Sequence, residues 1–169
     1  MNKITRILIL FVLLTSLSAV KGRRSFTDLQ EKINENEKTI EITKDYEYDE
    51  KIDEELEKGI LIEQNNITIN GNGHTISGCG KSRIFNINAN NITISNLNFE
   101  NGKDNTGGGA IKWIGNEGKL AGCNFNGNAA PVGGAICTYT NNLRICGCRF
   151  ENGNADKAPQ STESDLTEK

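Results

Sequence analysis

The stretch Asn66-Ile67-Thr68-Ile69 recurs 25 residues later as Asn91-Ile92-Thr93-Ile94, and this repeat decides the fold. Three further sets of residues return at intervals of 25 or 26: Phe99, Phe125 and Phe150; Leu97, Cys123 and Cys148; and Ala110-Ile111 with Ala135-Ile136. Runs of Asn and Gly separate the apolar positions, as expected between short strands. The sequence is therefore an array of units, each with two or three short strands.

A period near 25 residues made of short strands predicts a parallel β-helix. Ankyrin and tetratricopeptide units are helical and longer, and the Leu-x-x-Leu-x-Leu pattern of leucine-rich repeats is absent. Successive coils of a β-helix stack at about 4.8 Å, so that equivalent side chains lie above one another. We predict an all-β protein with about four coils, at 60–83, 84–109, 110–134 and 135–155. Three inward columns follow: Phe99, Phe125 and Phe150; Ile69, Ile94, Leu120 and Ile145; and Phe85, Ile111 and Ile136.

The composition agrees with this architecture and excludes others. Of the 169 residues only 36% are hydrophobic and 6% aromatic, which disfavours a large helical globule. Residues 64–155 contain 20 Asn and 16 Gly, and these residue types tolerate the positive φ of tight corners. Residues 28–63 hold 14 acids and 5 bases, whereas residues 64–155 hold 4 acids and 7 bases. Because the net charge is only −3, we expect no nucleic-acid partner.

The first 22 residues have the pattern of a secretory signal peptide. Two basic residues precede an uncharged 14-residue run, Ile7 to Val20, which is shorter than the roughly 20 apolar residues of a spanning helix. Cleavage after Ala19 or Gly22 meets the small-residue requirement, and an uncleaved anchor is the alternative. No second hydrophobic run follows. We therefore expect an extracellular or cell-surface protein whose mature chain (from residue 23) has no membrane span.

Residues 23–59 predict a cap for the first coil, made of a helix, a strand and an acidic loop. Residues 25–36 have the pattern of an amphipathic helix, and Thr27 with Gln30 forms a capping-box pattern. A strand follows at 38–42, and the acidic segment 44–58 is predicted to be a solvated loop or helical turn. The apolar face of the helix comprises Phe26, Leu29 and Ile33. A cap is needed because an uncovered terminal coil is an unpaired strand edge.

Five motifs lie in order between Asp28 and Ala155: Ile-Thr-Lys-Asp-Tyr-Glu-Tyr-Asp (42–49), Gly-Ile-Leu-Ile (59–62), Ile-Asn-Gly-Asn-Gly-His-Thr-Ile (69–76), Asn-Ile-Thr-Ile-Ser-Asn-Leu (91–97) and the repeated Gly-Gly-Ala-Ile. In these motifs the chain resembles the N-terminal part of adhesin-like surface proteins of methanogenic archaea. The Gly-Gly-Ala-Ile repeats are also similar to those of chlamydial polymorphic outer-membrane proteins. The resemblance implies a right-handed, pectin-lyase-like β-helix at the cell surface.

Two pairs of residues are candidates for covalent modification. Asn66-Ile67-Thr68 and Asn91-Ile92-Thr93 are glycosylation sequons that would stack on one face, although an Asn-rich repeat produces such sequences without any modification.

Cys123 and Cys148 share an inward position on adjacent coils. The predicted spacing of about 4.8 Å allows a disulfide. The alternative is a stack of two buried thiols. The count of five cysteines leaves at least one thiol unpaired within a chain.

The predicted β-helix raises the question of catalysis, because this fold often carries polysaccharide lyases and hydrolases. Glu100 and Glu151 occupy equivalent positions two coils apart, or about 9.6 Å by stacking, near the carboxylate separation of inverting glycosidases. Both lie at exposed corners with no obvious cleft, and fold analogy alone does not carry function. We predict that neither is catalytic.

Three further motifs predict structural roles rather than chemistry. His74, the only histidine, is level with Leu97 in the register, which could turn it inward, and we expect it to hydrogen-bond a turn. The segment 78–82, Gly-Cys-Gly-Lys-Ser, lacks the P-loop spacing and predicts a turn between coils. Cys146-Gly147-Cys148 is too short for the usual zinc spacing. We therefore expect no metal and no cofactor.

Three function classes remain open from the sequence. The first is an adhesin-like surface β-helix that contacts polysaccharide or a surface protein. The second is a truncated structural stalk fragment without activity, and the third is a polysaccharide lyase or hydrolase. The tail 156–169 is polar and predicted to be disordered, with little apolar material to cover the fourth coil. An open coil edge tends to recruit another chain, which predicts an end-to-end homo-oligomer.

Overall fold

The computed structural model describes residues 24–140 and 142–156. Within them the chain forms an all-β solenoid of about four coils with one short α-helix near its N-terminal end. The predicted fold class is confirmed. The predicted signal peptide 1–22 and residues 157–169 of the predicted tail lie outside the described residues.

The elements follow the 25-residue period. Before the first complete coil come helix α1 Phe26–Asn34, strands β1 Thr39–Glu41 and β2 Tyr46–Glu47, and a 3-10 helix Glu54–Leu56. Coils one and two contain β3 Ile60–Ile62, β4 Thr68–Asn70, β5 Thr75–Ser77, β6 Phe85–Ile87, β7 Thr93–Ser95 and β8 Asn98–Glu100. Coils three and four contain β9 Ile111–Trp113, β10 Gly118–Ala121, β11 Asn124–Asn126, β12 Ile136–Thr138, β13 Leu143–Cys146 and β14 Arg149–Glu151.

Each coil gives one strand to each of three parallel sheets. Sheet 1 has the order β1-β4-β7-β10-β13, sheet 2 has β2-β5-β8-β11-β14, and sheet 3 has β3-β6-β9-β12. Every pairing between these strands is parallel. Corners between the sheets use Asn and Gly at positive φ, such as Asn96 (51°) above Gly122 (63°). These residue types reach that backbone region at lower cost than others.

The inward columns form the core as the repeat predicts. Phe99 pairs in register with Phe125, and Phe125 with Phe150. Their ring centroids lie 4.7 Å apart, and the ring planes are within 5° of parallel. The structure extends each predicted column toward the N-terminus: Tyr46 and Ile76 precede Phe99, Ile40 precedes Ile69, and Ile60 precedes Phe85.

The N-terminal cap differs from its prediction in two respects. The helix N-cap is Ser25, whose side chain accepts from the Asp28 amide while the Asp28 carboxylate accepts from Ser25, so the predicted Thr27 and Gln30 pair is wrong. Residues 44–58 are not a wholly solvated segment, because Tyr46–Glu47 forms β2 and Asp53 is 1% exposed. The alternation that marks a strand is too short to detect in two residues.

Asp53 connects the acidic segment to helix α1. Its carboxylate accepts hydrogen bonds from the backbone amides of Phe26 (3.0 Å), Thr27 (2.8 Å) and Asp49 (2.8 Å), and from the Thr27 hydroxyl (2.7 Å). A helix N-terminus has free amides that favour a negative charge. Asp53 therefore fixes the orientation of α1, whose buried face, Phe26, Leu29 and Ile33, closes the first coil beside β2 and β3.

The fourth coil is more exposed than the coils before it. Phe150 is 50% exposed and Ile145 46%, whereas Phe125, one coil earlier, is 1% exposed. Strands β12, β13 and β14 each pair on one side only within the described residues. The C-terminal face thus presents three strand edges, while α1 packs over the other end.

Candidate functional site on the outer faces of the coils

The side chains that alternate with the core point outward and also form columns. In sheet 2 these columns are Thr75, Asn98, Asn124 and Arg149, and beside them Glu47, Ser77, Glu100, Asn126 and Glu151. Successive residues of a strand face opposite sides of its sheet. A buried column therefore implies an outward one, and the outer face of sheet 2 repeats polar groups at the interval of the coils, although Ser77 is covered and only 5% exposed.

Hydrogen bonds along the solenoid axis hold several of these amides. Asn124 Nδ2 donates to Asn98 Oδ1 at 2.8 Å, and Asn98 Nδ2 donates to the carbonyl of Gly73 at 2.8 Å. Asn152 Nδ2 donates to Asn126 Oδ1 at 2.8 Å. An amide has two N–H donors and two oxygen lone pairs. Each fixed side chain keeps hydrogen-bonding capacity that is directed away from its neighbour and is open to a ligand.

The predicted glycosylation sites Asn66 and Asn91 lie together at the corner between sheets 3 and 1. Both are exposed, with φ of 64° and 55°, and Asn91 Nδ2 donates to Asn66 Oδ1 at 2.8 Å. A second column runs beside them, because the Asn90 amide donates to Asn65 Oδ1 at 2.7 Å. A glycosylated asparagine must be exposed, as both of these are. The hydrogen bonds between stacked asparagines also give a structural reason for Asn at these positions without any glycan.

Cys123 and Cys148 lie at equivalent positions on adjacent coils, and both are present as free thiols. Cys123 is fully buried, whereas Cys148 is half-buried against the core. Burial raises the pKa of the Cys123 thiol to about 11. Because the thiolate is the reactive form, Cys123 in the folded chain is a poor nucleophile and a slow partner in disulfide exchange. The predicted disulfide stays a prediction.

His74 lies at the edge of sheet 2 and faces an acidic residue. Its Nδ1 is 3.2 Å from Asp45 Oδ1, and its side chain is 34% exposed. Asp45 Oδ1 also accepts from the Thr75 amide at 3.0 Å. Although His74 precedes Thr75 as Leu97 precedes Asn98, it does not point inward like the buried Leu97. The side chain therefore joins the first coil to the loop before β2.

Glu100 and Glu151 occupy one outward column with Asn126 between them. Glu100 is half-buried, whereas Glu151 is exposed and forms an ion pair with Arg149. The register prediction is confirmed. The pair lies on the face of sheet 2.

The segment 78–82 is a turn, as predicted. Cys79 and Gly80 have φ of 54° and 69°, and the Ser82 amide donates to the carbonyl of Gly78 at 3.1 Å. The Ser82 hydroxyl is buried, 2.9 Å from the Leu56 carbonyl. This arrangement positions the chain for β6 and leaves no cradle of free amides for a phosphate.

A buried ion pair that the repeat does not predict lies at the corner between coils one and two. Arg83, 3% exposed, contacts Asp104 Oδ1 through Nη2 at 2.6 Å. The same guanidinium donates to the carbonyls of Gly108 (2.9 Å), Gly107 (2.9 Å) and Lys58 (3.1 Å). One signal was present in the sequence, because the positions equivalent to Arg83 in later coils are Gly109 and Gly134.

Asp104 is the acidic partner in this corner. Burial alone would raise its pKa, but hydrogen bonds from the Thr106 hydroxyl and from the amides of Gly107 and Thr106, together with the Arg83 charge, hold the pKa of Asp104 below its usual range. The carboxylate is therefore fully ionised at neutral pH. Its role is structural, because all of its hydrogen-bond donors belong to the two coils that it joins.

The part of the chain that the structure describes offers neither a metal centre nor a membrane helix. No group of three or more His, Cys, Asp or Glu residues there is placed to hold a metal ion. Residues 24–140 and 142–156 also contain no helix of the length and apolar character needed to cross a bilayer. Comparisons with protein-family models, with curated proteins and with solved structures gave no match.

Proposed function

We propose that this protein is a secreted or cell-surface binding protein, adhesin-like and without catalytic activity, that holds a polysaccharide or a surface protein on the outer face of sheet 2. The observation that carries the proposal is the in-register column of amides and hydroxyls, Thr75, Asn98 and Asn124, on coils whose inner rings repeat at 4.7 Å. A repeating polymer can satisfy the same contacts on every coil.

The character of the face favours carbohydrate or a polar protein surface. Its amides and hydroxyls both donate and accept hydrogen bonds, and its carboxylates accept them, which is what a hydroxyl-rich ligand requires. The hydrogen bond between Asn124 and Asn98 holds the two amides before a ligand arrives. Preorganised groups lose less conformational entropy on binding.

The sequons support the choice of this face. Asn66 and Asn91 lie in the corner that connects sheet 3 to sheet 1, which does not border sheet 2. If both carry glycan in an exported chain, the modification leaves the outer face of sheet 2 open. The outer face of sheet 1 begins at that corner, so the same glycans would make it a less accessible binding face than that of sheet 2.

Binding of the mature chain to a panel of cell-wall polysaccharides and cell walls tests the proposal. The double variant Asn98→Ala/Asn124→Ala removes two amides of the sheet 2 column. We expect its affinity for the best ligand to fall roughly tenfold, since each lost hydrogen bond contributes about 0.5–1.5 kcal/mol.

The matched control is Asn70→Ala/Ser95→Ala, which truncates two residues in register on the outer face of sheet 1. This variant should bind like the unmodified chain. Equal losses in the two variants would move the site away from sheet 2, and no binding to any member of the panel would refute the proposal.

The proposed absence of catalysis has its own test. Glu100 is half-buried and Glu151 is exposed on the outer face of sheet 2, and Arg149 holds Glu151 in an ion pair, so we expect the chain to release no reducing sugar or unsaturated product from the panel. Cleavage of pectin, xylan or a cell-wall polymer that disappears in Glu151→Gln would show that the column is an active site.

A further inference from the structure

The C-terminal face of the solenoid combines strand edges with exposed core residues. Strands β12, β13 and β14 each have a partner on one side only within the described residues. Ile145 and Phe150 belong to inward columns, yet about half of each side chain is exposed. A strand edge with free backbone groups pairs readily with a second strand.

The sequence of β14 is complementary to itself when two copies run antiparallel. Phe150 points into the column, and its neighbours Arg149 and Glu151 point outward. In an antiparallel pair in which Phe150 lies opposite Phe150, Arg149 of one copy lies opposite Glu151 of the other, and the reverse holds on the other side. Opposite charges at directly facing positions stabilise such a pair. Arg149 and Glu151 already form an ion pair within each chain, and in the antiparallel arrangement the two ion pairs meet as one group of four alternating charges.

We propose that two copies of the chain join end to end through β14 about a two-fold axis. Seen from its own C-terminal end, each solenoid winds in the same sense. When two such ends face one another the strands therefore run in opposite directions, as the charge pattern requires. The contact is isologous and closes on itself, so the assembly stops at a dimer.

The aromatic column supports this geometry. Phe99, Phe125 and Phe150 stack with 4.7 Å between ring centroids, and Phe150 has a ring neighbour on one side only among the described residues. The Phe150 of a second copy would cover the exposed face of this ring. The dimer thus covers the ring of Phe150 as the next coil covers the rings of Phe99 and Phe125.

A head-to-tail arrangement lacks these features. The other end of the solenoid is closed by α1, whose Phe26, Leu29 and Ile33 are already buried. Arg24 pairs with Tyr46 of β2, and the Gln30 side chain exchanges hydrogen bonds with Leu61 of β3, so the outer edges of these two strands are already occupied. A head-to-tail contact would also continue indefinitely rather than close.

Light scattering of the reduced mature chain at tens of micromolar tests the proposal, which does not depend on the proposed ligand. We expect twice the monomer mass. Arg149→Glu and Glu151→Arg should each raise the dimer dissociation constant roughly tenfold or more, because each places like charges opposite one another. An equimolar mixture of the two variants should restore association, since the acidic strand of one variant then faces the basic strand of the other.

The double variant Arg149→Glu/Glu151→Arg should also dimerise like the unmodified chain. Matched controls reverse charges away from the edge: Lys119→Glu on β10, and Glu100→Arg, two coils before Glu151 in the same column. These controls should not change the dissociation constant.

Three results would overturn the proposal. An unmodified chain that stays monomeric across the concentration range would show that residues 157–169 or another segment covers the edge. Open-ended growth with concentration would show a head-to-tail contact. A mixture of Arg149→Glu and Glu151→Arg that does not associate, although both variants have the circular dichroism of the folded chain, would exclude the antiparallel β14 pair.

Discussion

Phe125 illustrates at the residue scale how stacking stabilises a narrow core. Its ring lies between those of Phe99 and Phe150 at 4.7 Å on either side. Parallel stacked rings make many dispersion contacts along the axis, and the Phe125 side chain is 1% exposed. A solenoid of this width has room for few large side chains in each coil, so the loss of one leaves a cavity that its neighbours cannot fill.

We expect Phe125→Ala to lower the free energy of unfolding by about 3–5 kcal/mol, as for buried aromatic residues generally. Urea denaturation of the reduced chain measures this change. Phe150→Ala in dilute protein is the control and should cost clearly less, because half of that side chain is exposed. A loss below about 1 kcal/mol for Phe125→Ala would place the ring outside the core.

Asp104 should make stability depend on pH. Its folded-state pKa lies below its usual value, so its ionised form is stabilised by folding. The resulting contribution is complete above the unfolded pKa of about 3.9 and is lost as pH falls through the lower folded pKa. Between pH 7 and pH 3, roughly the range set by these values, the unmodified chain should therefore lose more stability than Asp104→Asn.

Thermal melts across this pH range for the two proteins provide the measurement. The comparison cancels the contribution of the other carboxylates, which are the same in both chains. Parallel curves for the unmodified chain and Asp104→Asn would show that the Arg83 pair contributes nothing that depends on ionisation.

At the scale of the element, helix α1 is attached as a unit through its N-terminus. Asp53 accepts from the amides of Phe26 and Thr27, which begin the helix, and from Asp49 in its own segment. The capping box formed by Ser25 and Asp28 adds two hydrogen bonds within the first turn itself. One buried carboxylate thereby joins the helix to a segment more than 20 residues away in the chain.

Asp53→Ala should release this cap. Buried donors left without a partner cost on the order of 1–3 kcal/mol, and we expect faster amide exchange in α1, β1 and β2 than in coils two and three. Hydrogen exchange with mass spectrometry resolves these segments. Glu55→Ala, an exposed acidic residue of the same segment, should leave exchange unchanged, and an equal effect of both variants would indicate loss of charge rather than of the cap.

At the scale of the whole molecule, the solenoid sorts chemically identical side chains by depth. Cys123 and Cys137 are buried, whereas Cys79 and Cys146 are exposed. Cys146 lies in the outward column of sheet 1 with Ser95 and Ala121. Cys137 lies in an outward column with Lys112 and Asn86, yet it is only 8% exposed.

Iodoacetamide should therefore modify Cys79 and Cys146 in the folded chain, and Cys123 only after unfolding. Burial and the raised pKa of Cys123, about 11, both keep its thiolate population small. Peptide mass spectrometry measures the extent of alkylation at each cysteine. Modification of Cys123 at the rate of Cys146 would contradict the buried position, and a Cys123–Cys148 peptide lighter by two hydrogens would establish the disulfide.

The repeat by itself determined the architecture. In a solenoid, residues one period apart become neighbours in space, so the intervals between Phe99, Phe125 and Phe150 or between Ile69 and Ile94 translate directly into pairs. Alternation within each strand then separates inside from outside. For this reason the sequence predicted the inward columns, the stacking of Asn66 with Asn91 and the equivalent positions of Cys123 and Cys148 on adjacent coils.

Only the tertiary structure decided the contacts that break the repeat. Arg83 reaches Asp104 across a corner where later coils have Gly109 and Gly134, and Asp53 reaches the start of α1. Neither contact belongs to a period, so no spacing in the sequence encodes it. Each depends on where two unrelated segments meet once the coils have stacked, and on the requirement that a buried charge find partners there.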